Sequence, residues 1–478
     1  MAIRARFCAL SAFLILCLCS SLAAASLTSD EQRLLGFISG LEIKETVTDL
    51  CCDRFEGRRA GAPGHALTAR YIADRFASIG MDRVAGSYTQ DLTMRYALVK
   101  RTDDIAAVLT YHTGPKSIRK SFAYPDYYGR GGINVSAPVV FVGRGITDSQ
   151  SGRDDYGAEN VSGKVAVWLA GSSSGRDVGE TSVLARVTNA YKHGAVASLI
   201  VGLKSQIDQQ CGAFGLSGPI ADFPCLSISR ETARALFPRS WDCLAAGALG
   251  NRSGPRVGNT VSITVPSIYN PSQPTRNVLC VLPGSGEGKE VVLLGAHYDH
   301  LGVENGKAFP GADDNASGSA VVMEVAKAFA KSGLKPKRSI VFAAWTAEEA
   351  GLVGCNYFAN NPPFPLGRLK AAVNMDMVGV GDRGCYKTVG RRPYPEQFRV
   401  LSTSSDDLGL RLLSNEAPGV SDHLAFMRKG VPSLLVYSAG EHPYFHTPRD
   451  RPELVDPVIL SDTARLVALT MWRLANVD

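Results

Sequence analysis

The residues best suited to chemistry in this chain are histidines and carboxylates that follow predicted strands. They occur in five short segments of the second half: HYDH at 297–300, GADDNASG at 311–318, EE at 348–349, NMD at 374–376 and EHPYFHTPRD at 441–450. Imidazole and carboxylate groups without a thiolate suit catalytic zinc, which keeps one position open for water. Several carboxylates buried close together repel one another and lose their solvation. Such a cluster is therefore unfavourable unless cations neutralise its charge. The segments together therefore predict a metal centre.

The elements that must position these residues are apolar strands alternating with helices. The sequence predicts strands at 290–297, 339–345, 369–379 and 431–439, and a helix at 317–333. Near-continuous apolar strands separated by helices are typical of a mostly parallel sheet with helices on both faces, which is an α/β fold. Open sheets of this kind bind ligands at the carboxyl ends of their strands, so the five segments are expected to meet at one edge.

The first half of the chain has a different pattern of predicted secondary structure. Residues 26–105 have apolar residues at helical spacing and are expected to be largely helical, with a Gly/Pro-rich loop, FEGRRAGAPGH, at 55–65. From about 125 to 255, short β-like runs such as APVVFVGRG alternate with Gly-rich turns, and one helical stretch lies near 183–193. This pattern predicts a compact β-rich module inserted into the α/β fold.

Composition excludes several classes of protein. The 478 residues are 45% hydrophobic and 20% charged, which is ordinary for a globular protein and rules out a disordered, collagen-like or coiled-coil chain. A net charge of +6 is spread without a basic stripe, so no nucleic-acid partner is expected. After the N-terminus no apolar stretch reaches the length of a membrane span. Oligomeric state does not follow from these features.

The N-terminal segment is typical of a secretory signal peptide. Arg4 and Arg6 precede an apolar run at 7–18, and the small residues Ala23 and Ala25 follow. Cleavage is expected after Ala25, which predicts a secreted or periplasmic protein. The alternative is a membrane anchor, but the run is shorter than the ~20 residues of a spanning helix.

In this order, HYDHLG, GADDNASG, WTAEEAGLVG, NMDMVG and YFHTPRD resemble the di-zinc aminopeptidases related to aminopeptidase Y, bacterial leucyl aminopeptidase and glutamate carboxypeptidase II. The resemblance covers 256–478 and extends more weakly to FEGRRAGAPG. Residues 125–255 resemble the protease-associated domain that many members insert. Besides the signal peptide expected at 1–25, the resemblance implies the N-terminal part of a peptidase domain at 26–124, the insert at 125–255 and the zinc peptidase domain at 256–478.

Carried over position by position, the resemblance implies two Zn²⁺ ions per chain. Asp314 would bridge them, His297 and Asp376 would complete one zinc, and Glu349 and His446 the other. Glu348 would be the general base.

The resemblance also suggests supporting residues and leaves some choices open. Asp299 has the position of a carboxylate that orients a ligand, His423 is expected to face the substrate or a ligand, and Tyr444 is a candidate for holding the tetrahedral intermediate. The chain departs from the family where Phe445 precedes His446 in place of the tyrosine of some relatives, and where Cys355 replaces a serine. The residue types alone leave two alternatives open: Asp313 instead of Asp314 as the carboxylate that bridges the metals, and His442 instead of His446 as a metal ligand.

The implied function is an exported di-zinc metallo-aminopeptidase that hydrolyses N-terminal residues from peptides with a free N-terminus. A water between the zincs would attack, with Glu348 as base. Two other readings compete: an aminoacyltransferase of the glutaminyl-cyclase type, with one zinc, and a non-catalytic ectodomain like the transferrin receptor. The peptidase is favoured because this sequence has a suitable residue at all five metal-ligand positions and at the position of the base. The same metal site also serves carboxypeptidases and dipeptidases, so the motifs do not choose among these exopeptidases.

Overall fold

The computed structural model describes most of the chain after residue 26. The described residues are 27–98, 107–113, 115–122, 133–148, 152–157, 160–170, 183–201, 223–247, 257–265, 268–287, 289–304, 306–415 and 419–477. The expected signal peptide and its cleavage after Ala25 fall outside them. Within the described residues, none of the helices combines the length and hydrophobicity that crossing a bilayer requires.

The described residues form eleven α-helices and twenty strands, besides four short 3₁₀ or π helices. The helices are α1 Ser29–Leu35, α2 Gly40–Leu50, α3 Pro63–Ser78, α4 Val183–Lys192, α5 Arg230–Leu236, α6 Trp241–Gly247, α7 Gly318–Ser332, α8 Val353–Asn360, α9 Pro395–Asp407, α10 His423–Met427 and α11 Pro457–Asn476. The strands are β1 Asp82–Arg83, β2 Thr89–Leu98, β3 Ala107–Thr113, β4 Lys116–Phe122, β5 Ile133–Phe141, β6 Thr147–Asp148, β7 Arg153–Asp154, β8 Val165–Leu169, β9 Ala197–Val201, β10 Cys225–Ile228, β11 Val257–Val265, β12 Ile268–Leu282, β13 Val291–His297, β14 Gly302–Glu304, β15 Lys307–Phe309, β16 Ser339–Trp345, β17 Leu369–Met375, β18 Cys385–Val389, β19 Arg411–Ser414 and β20 Ser433–Ser438.

The larger sheet has nine strands in the order β1-β12-β16-β13-β17-β20-β18-β19, with β2 also paired to β12. Its centre is parallel: β13 pairs with β16 and β17, and β17 pairs with β20, all in parallel. Antiparallel pairs join β12 to β16 and β18 to β20. The predicted α/β fold is confirmed, but the sheet is mixed rather than mostly parallel: four strand pairs are parallel, three of them in its centre, and four are antiparallel.

Apolar packing covers both faces of this sheet, which explains the near-continuous hydrophobic strands. Every residue of β13 is buried. One face packs with helices α1, α2, α3, α7 and α11 into a large core that includes Phe329 and Phe342. On the other face, Trp345 packs against Phe358 of α8 and Phe426 of α10. Helix α7 ends at Gly333, whose φ of 66° forms a left-handed C-cap.

The segment predicted to be largely helical, 26–105, also contains a long strand. Strand β2 pairs antiparallel with β12 from Thr89↔Val278 to Leu98↔Ile268. Local periodicity did not reveal it because the pairing partner lies about 180 residues further along the chain.

A second sheet of seven strands has the order β10-β9-β8-β5-β11-β3-β4. Strands β3, β4 and β11 belong to it through antiparallel pairing, so the sheet extends beyond 125–255 at both ends. In β11, Val261 and Ile263 are buried while Thr260, Ser262 and Thr264 are exposed, as expected for a strand with one solvated face.

A buried guanidinium ties three segments together next to the carboxyl edge of the larger sheet. Arg58 is fully buried and donates to the carbonyl oxygens of Leu50, Tyr298, Pro310 and Gly311 at 2.6–2.8 Å. These bonds join the end of α2 to the segment after β13 and to the loop that precedes Asp313.

Replacing Arg58 with methionine is expected to lower the free energy of unfolding by on the order of 3–5 kcal/mol, because four buried carbonyl oxygens would each lose a charged donor. Urea unfolding measures this loss. Arg70→Met is the control: Arg70 forms a highly exposed ion pair with Asp74, so a change of less than about 0.5 kcal/mol is expected. Equal stability of Arg58→Met and Arg70→Met would show that the buried bonds contribute nothing.

Candidate metal centre

Strand ends bring the first part of the candidate site together. His297 is the last residue of β13, which lies between β16 and β17. In the parallel register, His297 is opposite Trp345 of β16, and Gly295 is opposite Asn374 of β17. Glu348 and Asp376 follow those strands, so all three side chains reach the same edge of the sheet, as the sequence predicts.

Donor atoms of His297, Glu348 and Asp376 lie within 4.8 Å of one another and form a first group. The Nε2 atom of His297 is 3.3 Å from Oδ1 of Asp376 and 3.4 Å from Oδ1 of Asp314.

A second group contains donor atoms of His300, Asp314, Glu349 and His446, again within 4.8 Å of one another. The Nε2 atom of His446 is 3.0 Å from Oδ2 of Asp314 and 3.1 Å from Oε2 of Glu349. Asp314 therefore directs Oδ1 toward the first group and Oδ2 toward the second, which is the arrangement of a bridging carboxylate.

The charges of these side chains do not balance by ordinary ion pairing. Within 4 Å, the ion-pair partners of Asp314, Glu349 and Asp376 in the described residues are histidines. Burial raises the pKa of Glu348 well above its usual range. Burial also disfavours the charged imidazole of His446, but the Glu349 and Asp314 carboxylates outweigh it and raise the pKa of His446 well above its usual value.

This environment fits a bound dication. Buried carboxylates need positive charge, and in the polypeptide alone the imidazoles can supply it only by binding protons. Together the two groups contain three histidines and four carboxylates, without a thiolate, and such a donor set suits catalytic zinc. The side chains present therefore fit zinc, and Asp314 lies between the two donor groups.

The backbone around the site adopts an unfavourable conformation at three positions. Ala347, Met377 and His446 have φ values of 54°, 57° and 55°, in the left-handed region that residues with a Cβ rarely adopt. Ala347 precedes Glu348, Met377 follows Asp376, and His446 is itself in the second group. Such strain concentrates at functional sites, where the surrounding fold holds side chains in a required direction.

Asp299 holds the pair of glutamates. Its two carboxylate oxygens accept hydrogen bonds from the backbone N–H groups of Glu348 and Glu349, at 3.0 and 3.3 Å. One of these oxygens also lies 3.8 Å from Nδ1 of His297. Burial raises the pKa of the Asp299 carboxyl to about 7. Asp299 thus contacts His297 and Glu348 of the first group and Glu349 of the second, although it belongs to neither group.

The two alternatives of the sequence analysis, Asp313 and His442, contact each other. Oδ2 of Asp313 lies 2.6 Å from Nδ1 of His442, while its Oδ1 accepts the N–H groups of Gly379 and Val380. Neither residue is in the two donor groups. Asp450 accepts the backbone N–H groups of Asp313 and Asp314, which fixes the loop that carries both aspartates.

The other predicted residues lie outside the donor groups. His423 is fully buried, and neither ring nitrogen has a hydrogen-bond partner in the described part of the chain. Tyr444 lines a small cavity with Asp313, His442 and Asp450. Phe445, where some relatives carry tyrosine, stacks on the His446 ring with centroids 3.8 Å apart.

Sequence reasoning assigned no role to His300, which the structure places in the second group. The available signal was its position directly after a buried strand, three residues beyond His297. That signal alone does not distinguish a site residue from a structural histidine.

Comparison with protein families shows that residues 277–471 match the model of Peptidase family M28. A probable leucine aminopeptidase 2 from Arthroderma benhamiae is 27% identical over 297 residues, which cover 60% of this chain and 53% of that protein. Leupeptin-inactivating enzyme 1 from Streptomyces exfoliatus is 31% identical over 215 residues, covering 42% of this chain and 47% of that protein. The chain spans about half the length of these curated relatives.

Solved structures share the fold over nearly the whole chain. An aminopeptidase from Aneurinibacillus sp. strain AM-1 has a TM-score of 0.67 and 22% identity, with 94% of this chain and 97% of that chain covered. A zinc aminopeptidase from Bacillus subtilis has a TM-score of 0.63 and 20% identity, with 92% and 96% covered. At these identities the likeness establishes the fold.

Proposed function

Since residues 277–471 relate this chain to peptidase family M28, we propose that it is an exported aminopeptidase that holds two zinc ions and removes N-terminal residues from peptides. The observation that carries the proposal is the orientation of Asp314, with one oxygen toward His297 and the other toward His446. His297 and Asp376 would hold one zinc and Glu349 and His446 the other. Two such positions favour a two-zinc peptidase over the one-zinc, cyclase-like alternative.

Bound zinc supplies Lewis acidity, which polarises a carbonyl group and lowers the pKa of water. The chain supplies the proton transfers. Glu348 is in the first group, and its side-chain oxygens accept no hydrogen bond from the described residues. A carboxylate with a raised pKa and free oxygens is suited to take a proton from the attacking water and return it to the leaving amine.

The negative charge of the site also suits the proposed substrate. The α-ammonium group of a peptide N-terminus is a cation, and Asp376 and Glu349 present carboxylates at the edge of the sheet where the substrate would enter. An internal peptide bond has no such charge near it. We therefore infer selection of the N-terminus by its free amine.

A panel of aminoacyl-nitroanilides, their N-acetylated counterparts and N-blocked peptides with a free carboxyl end tests this function. Hydrolysis of the free-amine substrates is expected, with loss of activity in a chelator and recovery on adding zinc. The acetylated nitroanilides should resist hydrolysis. Equal cleavage of acetylated and free substrates, or removal of C-terminal residues from blocked peptides, would contradict an aminopeptidase.

A further inference from the structure

His300 contacts the second donor group through one ring nitrogen. Its side chain is fully buried, and its Nδ1 atom lies 2.8 Å from Oε1 of Glu349 and 3.8 Å from Oδ2 of Asp314. Only the distance to Oε1 is that of a hydrogen bond. The contact therefore joins His300 to one particular oxygen of Glu349.

The other oxygen of Glu349 points elsewhere. Oε2 of Glu349 and Oδ2 of Asp314 lie 3.1 and 3.0 Å from Nε2 of His446. Donor atoms around a tetrahedral zinc with bonds of about 2.0–2.1 Å are roughly 3.3 Å apart. These three atoms are spaced as ligands of one ion, whereas the 2.8 Å contact of His300 with Oε1 is a hydrogen bond within the protein.

The second ring nitrogen of His300 identifies the tautomer. Nε2 is buried and has no hydrogen-bond partner among the described residues. A proton on Nε2 would bury an unpaired donor and would also leave Nδ1 facing a carboxylate as a second acceptor. With the proton on Nδ1, the ring donates to Oε1 of Glu349 and only a lone pair stays unpaired.

The ring is held in place from other directions. The backbone N–H of His300 donates to the carbonyl oxygen of Arg58 at 3.2 Å. Gly311 packs so closely that a Cβ atom there would lie 2.4 Å from the His300 ring. The His446 ring meets it edge to face, with centroids 5.7 Å apart. His300 is thus a rigid donor.

We propose that His300 is a positioning residue for Glu349. Its Nδ1–H group holds Oε1, so that Oε2 alone is directed to the zinc position beside His446. The inference rests on the proposed metal centre and extends it by a residue that binds no metal. Groups that orient metal ligands in this way typically change metal affinity by 10–100-fold when they are replaced.

Three variants of His300 test the hydrogen bond. Asparagine carries its amide nitrogen on Cγ, as histidine carries Nδ1, so His300→Asn retains a donor in about the same place. His300→Gln moves the donor by one bond, and His300→Leu removes it. Competition with a chromophoric chelator measures the affinity of each variant for zinc, without reference to activity.

We expect His300→Leu and His300→Gln to bind one of two zincs about 10–100-fold more weakly and the other within about 3-fold of the wild type. His300→Asn should bind both within about 3-fold. His65→Leu is the matched control, because it removes another buried imidazole, bonded to Thr346, and should leave both affinities unchanged. Wild-type affinity in His300→Leu, or an Asn variant as weak as the Leu variant, would overturn the proposal.

A double-mutant cycle keeps the test valid if His300→Leu is poorly folded. In a Glu349→Ala background the zinc position beside His446 keeps only Asp314 and His446 and binds weakly, so its affinity is measured by titration at high zinc. There His300→Asn and His300→Gln should have the same affinity, because the hydrogen-bond acceptor is absent. A persisting difference would show that His300 does not act through Glu349. A wild-type protein that binds two zincs but cleaves no aminoacyl substrate would instead refute the proposed function and leave this inference standing.

Discussion

Replacing Glu348 with glutamine is expected to lower kcat by about 10²–10⁴-fold while both zincs stay bound. Glutamine has nearly the same shape but cannot accept and return a proton. Glu348 interacts through its backbone N–H with Asp299, and this contact survives the substitution. KM should change little, because the lost interaction belongs to the transition state. Steady-state kinetics with an aminoacyl-nitroanilide, together with zinc analysis of the same sample, measures both properties.

The neighbouring glutamate is the matched control for this prediction. Oε2 of Glu349 lies 3.1 Å from Nε2 of His446 in the second donor group, so Glu349→Gln should lose zinc rather than only activity. Near wild-type kcat in Glu348→Gln would remove Glu348 from the role of base. Loss of zinc in both variants would mean that both glutamates hold metal.

Replacing Asp314 with asparagine should have an even broader effect, because each of its oxygens faces a different donor group. Asparagine has no negative charge, and its amide nitrogen has no lone pair to offer a metal. We expect zinc content to fall from about two ions per chain to about one or fewer, and aminopeptidase activity to fall to background. Elemental analysis after dialysis, with activity measured in parallel, tests this.

Asp313→Asn provides the comparison at the adjacent position. Asp313 contacts His442 and the N–H groups of Gly379 and Val380, outside both donor groups. This variant should keep both zincs and lose stability, because its buried partners would be left imperfectly paired. If Asp313→Asn lost the zincs and Asp314→Asn kept them, the bridge would be assigned to the wrong aspartate.

The sequence predicted those parts of the fold that local patterns determine. The apolar runs that became β13, β16, β17 and β20 are buried on both faces, so their hydrophobicity alone identified them. The residues that follow these strands converge because parallel strands end at one edge of a sheet. For this reason the sequence alone predicts that His297, Glu348 and Asp376 converge.

Features that depend on distant pairing could not be predicted in this way. Strand β2 is specified by its pairing with β12, and the second sheet recruits β3 and β11 from beyond the predicted range. The contact between Asp313 and His442 joins residues 129 positions apart. The hydrogen bond between His300 and Glu349 likewise depends on the tertiary structure, because the spacing of residues along the chain does not determine which carboxylate oxygen a side chain contacts.

Zinc titration of the metal-free protein tests the central claim most directly. Calorimetry should give two bound zinc ions per chain, and hydrolysis of an aminoacyl-nitroanilide should increase up to two equivalents of zinc. This outcome is expected because Asp314 links two donor groups that are each completed by other side chains. Full activity with no more than one zinc per chain, or activity that does not depend on added metal, would contradict a two-zinc aminopeptidase.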